Sequence, residues 1–314
     1  MSISALEDTR RQVSTPAPVF SVAPIVLRAA GRGFDLQVRV TAPMLGVALP
    51  IIIFSHGNGQ SLHAYAPLAN YWAAHNFVVI QPTHLDSRML GHAQDDPRRP
   101  QFWRFREDDL LRVLDGLQHI EDAVPMLRGR LDRTRIAVAG HSWGGQTAST
   151  LLGATHPDPD NGLVVNRRDA RVSAGVLMAV PGAGGENLSE FARLNYPFMH
   201  PDFSAMTTPT LIIAGDSDKG GLSTRGPGWW RDAYDLAPSP KALLTTFGGQ
   251  HSLGGIPGYE SRETTDERPE RVAAILRLST AFLRSALYPG NLAWPEASAA
   301  MVNTPLPEGR IETK

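Results

Sequence analysis

The stretch that decides the fold is AVAGHSWGGQTAST, residues 137–150. It joins an apolar run to a segment of small residues, with Ser142 at the junction and glycines at positions 140 and 144. Glycine, x, serine, x, glycine is typical of a tight turn from a strand into a helix, where a side chain other than hydrogen would clash. The serine oxygen would then project from the carboxyl edge of a sheet, beside the positive end of a helix. Ser142 is therefore either a nucleophile or a small polar residue in a Gly-rich bend, and the rest of the chain must decide.

Apolar runs and helical patterns alternate along most of the chain. Continuous apolar runs indicate strands buried on both faces of a parallel sheet, and they are 48–57, 77–82, 134–142, 172–181, 208–218 and 241–249. Helical spacing is found in 63–75, 106–124 and 268–287. Alternating residues around Gly31-Arg32-Gly33 predict a hairpin. We therefore expect an α/β fold, a mostly parallel doubly wound sheet with helices on both faces and an N-terminal antiparallel hairpin.

Length and composition set the limits of this expectation. The chain has 314 residues, of which 42% are hydrophobic and 19% charged, as in an ordinary globular protein. We predict a flexible lead-in over 1–20, a single domain over 21–287 and a C-terminal tail over 288–314. The net charge of −1 gives no reason to expect nucleic acid or an anionic membrane as a partner, and no run is long enough to span a bilayer. The sequence has no cysteine, which excludes disulfides, thiolate metal sites and a cysteine nucleophile.

The first residues lack a basic segment followed by an apolar run, the pattern of a secretory signal. We therefore expect a cytoplasmic protein, although a trimmed secreted chain would look the same. The sequence leaves open whether the protein is a monomer or a dimer.

Two segments far downstream could activate Ser142. A serine hydroxyl needs a base, and the base needs an acid that orients it. One buried run ends in Asp216 and Asp218, and the next is followed by His251 in a Gly-rich loop. Serine, acid and histidine thus follow one another along the chain, each at the carboxyl end of a predicted strand. The pattern predicts a nucleophilic triad in which either carboxylate could be the acid.

At this point the sequence resembles a known superfamily. Over roughly residues 25–287 it is similar to α/β-hydrolases, and in particular to serine esterases grouped with bacterial chlorophyllase-like, platelet-activating-factor-acetylhydrolase-like and polyester-hydrolase proteins. The stretches that carry the resemblance are FSHGNGQS (54–61), GHSWGGQT (140–147), LIIAGDSD (211–218) and GGQHS (248–252).

The resemblance implies a role for individual residues. Ser142 would be the nucleophile and His251 the base, and Asp218 is favoured over Asp216 because the family acid is usually the last carboxylate of a Gly-x-x-Asp stretch. Two backbone N–H groups would form the oxyanion hole, those of Trp143 and Asn58. The adjacent Gly57 and Gly59 could share the role of Asn58.

Three loops that leave the same sheet edge are expected to line the substrate cleft, namely 81–105, 181–203 and 223–234. They offer aromatic candidates for an apolar pocket: His84, Phe102, Trp103, Phe203, Trp229 and Trp230. Each of these rings could instead pack its loop against the body of the protein. His56 and His141 lack the spacing of metal ligands, and we expect neither a metal nor an organic cofactor.

Together these features predict a serine hydrolase that cleaves carboxylic esters through an acyl-enzyme, acting on a small-molecule or lipid-like ester. Amidases, thioesterases and acyltransferases use the same triad, and a non-catalytic scaffold that binds a ligand could share the fold. The sequence leaves the natural substrate open, because substrate choice depends on loop geometry.

Overall fold

The computed structural model describes residues 16–259, 264–305 and 307–314. In these ranges the strands are β1 (Val19–Leu27), β2 (Leu36–Pro43), β3 (Leu49–Ser55), β4 (Val78–Pro82), β5 (Leu131–His141), β6 (Thr155–Pro157), β7 (Val164–Asn166), β8 (Val172–Met178), β9 (Thr210–Gly215), β10 (Lys241–Thr246) and β11 (Gly309–Thr313). The α-helices are α1 (Ala66–Ala74), α2 (Phe102–Asp115), α3 (Leu117–Ala123), α4 (Trp143–Leu152), α5 (Glu190–Asn195), α6 (Asp232–Asp235), α7 (Pro269–Leu287) and α8 (Ala293–Val302). Short 3₁₀ turns cover 88–90, 99–101, 125–127, 185–187 and 226–231.

The strands form a nine-stranded sheet in the order β1-β2-β4-β3-β5-β8-β9-β10-β11. Strands from β4 to β10 in this order run parallel, and β1 and β2 form the antiparallel hairpin at one edge. All residues of β3, β4, β9 and β10 are buried, because helices cover both faces of the sheet. The predicted α/β architecture, with its hairpin, is confirmed.

The strand order reverses beside β3. The chain passes from β3 to β4 on one side and then returns to place β5 on the other side of β3. At such a reversal the loops after neighbouring strands turn away from each other and leave a crevice at the carboxyl edge, where open α/β sheets bind ligands. The loop after β3 and the turn after β5 both border this crevice.

The structure differs from the predicted elements in the helix expected over 106–124 and in an additional small hairpin. The helix predicted over 106–124 begins earlier, at Phe102, and is divided at Gly116 into α2 and α3. A Cβ at Gly116 would lie 2.9 Å from the carbonyl oxygen of Arg112 and 3.1 Å from a methyl group of Leu27, so a close approach of the hairpin requires glycine there. A small hairpin, β6–β7, lies in a region for which no strand was predicted.

The chain ends differ as well. Residues 288–314 were expected to be a tail, but α8 packs on α7, and β11 pairs antiparallel with β10 at the far edge of the sheet. The prediction of a tail is therefore wrong, since a short polar strand can still complete a sheet edge. The predicted lead-in over 1–20 falls largely outside the described residues, and its last two residues, Val19 and Phe20, belong to β1. Within the described ranges, no helix is both long and apolar enough to cross a bilayer.

Candidate active site

Ser142 lies on the sharp turn between β5 and α4. Its backbone angles are φ 56° and ψ −127°, a conformation that residues with a side chain rarely adopt. A Cβ on Gly140 would overlap the carbonyl of Gly144, and a Cβ on Gly144 would overlap the carbonyl of Ser55 in β3. Strand, turn and helix are thus packed at backbone contact. This packing explains the glycine pattern and holds the serine in its strained conformation.

His251 connects Ser142 to a carboxylate. Its Nε2 lies 2.8 Å from Ser142 Oγ, and its Nδ1 lies 2.8 Å from Asp218 Oδ2. The carboxyl of Asp218 is 1% exposed and also accepts the N–H of Gly220 at 2.9 Å. With Nδ1–H donating to the carboxylate, Nε2 is left to accept the serine proton. The structure thus brings together the serine, histidine and acid that are 109 and 33 residues apart in the chain.

Asp216 points elsewhere. Its Oδ1 accepts the N–H of Gly248 at 2.8 Å and the hydroxyl of Ser217 at 3.0 Å. These bonds tie the turn after β9 to the loop after β10. Asp216 therefore shapes the loops that carry Asp218 and His251, and only Asp218 contacts the imidazole.

The loop after β3, residues 56–60, lies opposite the turn at Ser142. The N–H of Gly57 donates to Tyr65 Oη at 3.2 Å, and the N–H of Gly59 donates to Asp86 Oδ2 at 2.8 Å. The N–H of Asn58 lies between these two engaged amides. On the other side, Trp143 is the first residue of α4, whose N–H has no acceptor within the helix. Asn58 and Trp143 both line the cavity that contains Ser142.

A buried ion pair supports this loop from below. Arg106 of α2 is fully buried, donates to Asp86 Oδ1 at 2.5 Å and also donates to the carbonyl of His56. Burial is the largest single influence and would raise the pKa of Asp86, but the charges of Arg106 and His56, together with the hydrogen bonds from Gly59 and Arg106, outweigh it, and the pKa lies below its ordinary value. The guanidinium also lies 4.6 Å from the ring centroid of Trp143. One arginine thus contacts both the loop after β3 and the ring of Trp143.

The cavity above Ser142 has a volume of about 360 Å³. Its apolar wall consists of Trp143, Phe191, Tyr196, Met199 and Leu222. Of these, Phe191, Tyr196 and Met199 come from the predicted loop 181–203. Phe191 is 57% exposed, which places it at the mouth. Loop 181–203 therefore supplies most of the apolar wall that the sequence assigned jointly to three loops.

The six aromatic candidates named from the sequence lie elsewhere: His84, Phe102, Trp103, Phe203, Trp229 and Trp230 are all described, all buried, and not among the residues that line this cavity. Their rings pack the loops onto the body of the protein, because burying a large ring there stabilises an otherwise unsupported segment. The structure therefore does not place these six aromatic residues in the cavity wall, where the sequence analysis expected them.

Three of these rings contact residues next to the cavity without lining it themselves. Trp103 stacks behind Phe198, which in turn stacks on Trp143 with ring centroids 5.1 Å apart. Trp230 packs 4.7 Å from the ring of His251 and donates its Nε1–H to the carbonyl of Asp218 at 3.2 Å. His84 accepts from Ser55 Oγ at 2.9 Å beneath the sheet edge. Their positions explain why loop aromatics alone were a poor guide to the cavity.

Across residues 16–259, 264–305 and 307–314, no group of three or more His, Asp or Glu side chains is arranged to hold a metal ion.

Ser142 lies in a strained conformation between a central parallel strand and the helix that follows it, and it is hydrogen-bonded to a histidine from a later loop. These features define the class of protein: the chain has the α/β-hydrolase fold. Comparisons with known proteins agree with this class. Residues 32–158 match the family model described as Chlorophyllase, a range that contains Asn58 and Ser142 but ends before Asp218.

Two relatives extend the comparison. A platelet-activating factor acetylhydrolase from Cavia porcellus is 27% identical over 142 residues, which cover 34% of this chain and 32% of that protein. The match thus spans about a third of that relative's length. The uncharacterized protein YfhR from Escherichia coli K12 is 24% identical over 246 residues, covering 78% of this chain and 73% of YfhR. The resemblance to chlorophyllase-like and acetylhydrolase-like α/β-hydrolases is confirmed.

Proposed function

We propose that this protein is a serine hydrolase that cleaves carboxylic esters through an acyl-enzyme. The observation that carries the proposal is the pair of 2.8 Å contacts that join Ser142 to His251 and His251 to Asp218. The similarity to proteins named Chlorophyllase and platelet-activating factor acetylhydrolase supports an ester as substrate.

In the proposed reaction Ser142 Oγ attacks the ester carbonyl carbon while His251 Nε2 takes the serine proton. Asp218 holds the imidazole in the required tautomer and stabilises the imidazolium. The imidazolium then protonates the leaving alkoxide, the alcohol departs, and the acyl group remains on Ser142. Water, deprotonated by His251, attacks the acyl-enzyme, and the carboxylic acid leaves with Ser142 restored.

The oxyanion of each tetrahedral intermediate would be held by the N–H groups of Asn58 and Trp143. Asn58 is favoured over its neighbours because the amides of Gly57 and Gly59 already donate to Tyr65 and Asp86. Trp143 is favoured because the first amide of a helix is free of intrahelical bonds and lies at the positive end of its dipole. Two such fixed donors, aimed at the same point, stabilise the developing charge.

The cavity favours an ester with a compact apolar group on one side of the carbonyl. A volume of about 360 Å³ lies near the lower end of small-molecule pockets, and aromatic and aliphatic side chains form one wall. A small-molecule or lipid-like ester of short acyl chain fits this description better than an extended polar polymer.

The test compares Ser142→Ala with Ser149→Ala in hydrolysis of p-nitrophenyl butyrate. Ser149 lies on the same helix, and its hydroxyl donates to the carbonyl of Gln146 within the helix, so its removal should leave turnover intact. Ser142→Ala should lose turnover, and a fluorophosphonate reagent should label the wild type and Ser149→Ala but not Ser142→Ala. Full activity of Ser142→Ala would refute the proposal.

Matched ester, thioester and amide derivatives of the same acyl group would then rank the reaction types. Faster turnover of the thioester or amide would replace esterase by thioesterase or amidase, since all three share the acyl-enzyme. Absence of labelling and turnover in the wild type would instead favour a non-catalytic scaffold.

A further inference from the structure

We propose that Tyr65 is a positioning residue of this site: its hydroxyl, through His141, joins the loop that carries the oxyanion donor to the loop that carries the base. The inference rests on the proposed function, because it assigns these loops their roles. Tyr65 is not part of the triad, and its effect would come through the groups it holds.

The hydrogen bonds form a directed chain. His141 Nε2–H donates to the carbonyl oxygen of His251 at 2.7 Å, which is the only direction that bond allows. His141 Nδ1 must then accept, and it lies 2.8 Å from Tyr65 Oη, which donates its proton to it. The phenol oxygen in turn accepts the N–H of Gly57 at 3.2 Å. In this series of hydrogen bonds each group either donates or accepts, and the tautomer of neutral His141 is determined.

His141 is suited to remain in this neutral form. It is buried beneath the turn, and burial, helped by the nearby His251, lowers the pKa of its imidazole to about 3. If His141 were protonated, its Nδ1 would carry a hydrogen and could no longer accept the phenol proton. The phenol oxygen of Tyr65 would then face two donors, Nδ1–H of His141 and the N–H of Gly57. The low pKa keeps the chain of hydrogen bonds in one state over the pH range in which an esterase works.

Tyr65 is itself held rigidly at the edge of the cavity. Its φ of 61° is left-handed, uncommon for a tyrosine, and it directly precedes α1. Its backbone N–H donates to the carbonyl of Pro257 at 2.9 Å, in the loop that follows His251. The ring is 1% exposed and packs on Phe54, with ring centroids 4.7 Å apart. Backbone and side chain therefore both tie Tyr65 to the base loop.

The hydrogen bond from the Gly57 N–H to Tyr65 Oη, at the other end of this series, helps to determine where the Asn58 N–H points. In the planar trans peptide unit between residues 57 and 58, the Asn58 N–H and the Gly57 carbonyl point in opposite directions. The carbonyl accepts from His56 Nδ1 at 2.7 Å, and the N–H of Gly57 is held by Tyr65. Tyr65 Oη packs directly against Gly57, since a Cβ there would lie 2.9 Å from the phenol oxygen. The phenol thus helps to set the direction of the oxyanion donor.

The test uses Tyr65→Phe, which removes the hydroxyl and keeps the ring. Loss of a whole oxyanion donor typically lowers kcat by about 100-fold to 1,000-fold, and we expect misorientation to lower it by about 10-fold or more. KM for p-nitrophenyl butyrate should change by less than about 3-fold, because the apolar wall is untouched. The matched control is Tyr71→Phe, on α1, whose ring also stacks on a histidine, His75, away from the cavity. Its kcat should equal that of the wild type.

A second variant keeps the inference testable if Tyr65→Phe melts early. His141→Asn interrupts the same chain and should lower kcat by a similar factor, and the double variant should be little worse than the worse single one. Thermal melting and fluorophosphonate labelling of Ser142 accompany each kcat.

The outcomes separate the two proposals. If the wild type hydrolyses the ester and Tyr65→Phe has an unchanged kcat, the role of Tyr65 is refuted and the esterase proposal is not. The same holds if the losses of kcat in the two single variants multiply in the double variant, because the two residues then act independently. A wild type without labelling or turnover would overturn both.

Discussion

The strain at Ser142 allows a stability prediction that is independent of substrate. Both Ser142→Gly and Ser142→Ala should abolish turnover, but they should differ in their free energy of unfolding. The angles φ 56° and ψ −127° match the first central position of a type II′ turn, which glycine dominates. A side chain there costs about 1–3 kcal/mol, which glycine would relieve.

Glycine also has a cost, because it gives the unfolded chain more freedom, by about 0.5–1 kcal/mol relative to alanine. Both variants lose the same hydrogen bond to His251, so that loss cancels in the comparison. The difference leaves Ser142→Gly more stable than Ser142→Ala by about 1 kcal/mol.

Denaturant unfolding of both variants, extrapolated linearly to water, measures this difference. Ser149 supplies the reversed control: it is buried in the middle of α4, so Ser149→Gly should be less stable than Ser149→Ala by about 1 kcal/mol. If Ser142→Ala were as stable as Ser142→Gly while the control pair behaved as expected, the turn would store no strain and the reasoning would be refuted.

Three further predictions concern the charged groups around the site. Asp218→Asn should lower kcat by about 10⁴-fold in an ester assay, as loss of the triad acid does elsewhere, while Asp216→Asn should stay within a few-fold; equal losses would contradict the assignment. Arg106→Met leaves Asp86 buried without its partner and should lower the free energy of unfolding by about 3–5 kcal/mol, whereas Arg106→Met with Asp86→Asn should recover part of that loss in the same urea experiment. Burial, and secondarily Arg106, lowers the pKa of His56 to about 4 from 6.5 in the unfolded chain, so the unfolded state binds more protons in this window and stability falls as the pH falls. Between pH 7 and pH 5, His56 should lower the free energy of unfolding by about 2 kcal/mol. Urea unfolding of His56→Asn should not show this loss, and the same pH dependence in the variant and the wild type would contradict the prediction.

Short-range patterns account for the parts of the fold that were predicted correctly. A run such as 48–57 has to be buried on both faces, and the glycines around Ser142 admit only a turn in which strand and helix touch. Both features depend on residues a few positions apart. For the same reason the break at Gly116 and the terminal strand β11 were missed, because each depends on a neighbour that is distant in the chain.

The two carboxylates after β9 show the limit most clearly. Asp216 and Asp218 are two residues apart and chemically identical, so local sequence did not separate them without the family resemblance. The turn directs Asp216 to the amide of Gly248 and Asp218 to His251, and only the folded loops decide which oxygen reaches which partner.

The class of fold and the order of serine, acid and histidine could be predicted from the amino-acid sequence, because strand burial and glycine turns are local properties. Tertiary structure alone decided the cavity wall and the place of Tyr65, whose partners lie 8 and 76 residues away. Side chains on separate loops share no periodicity, and their meeting depends on how the loops pack over the sheet edge.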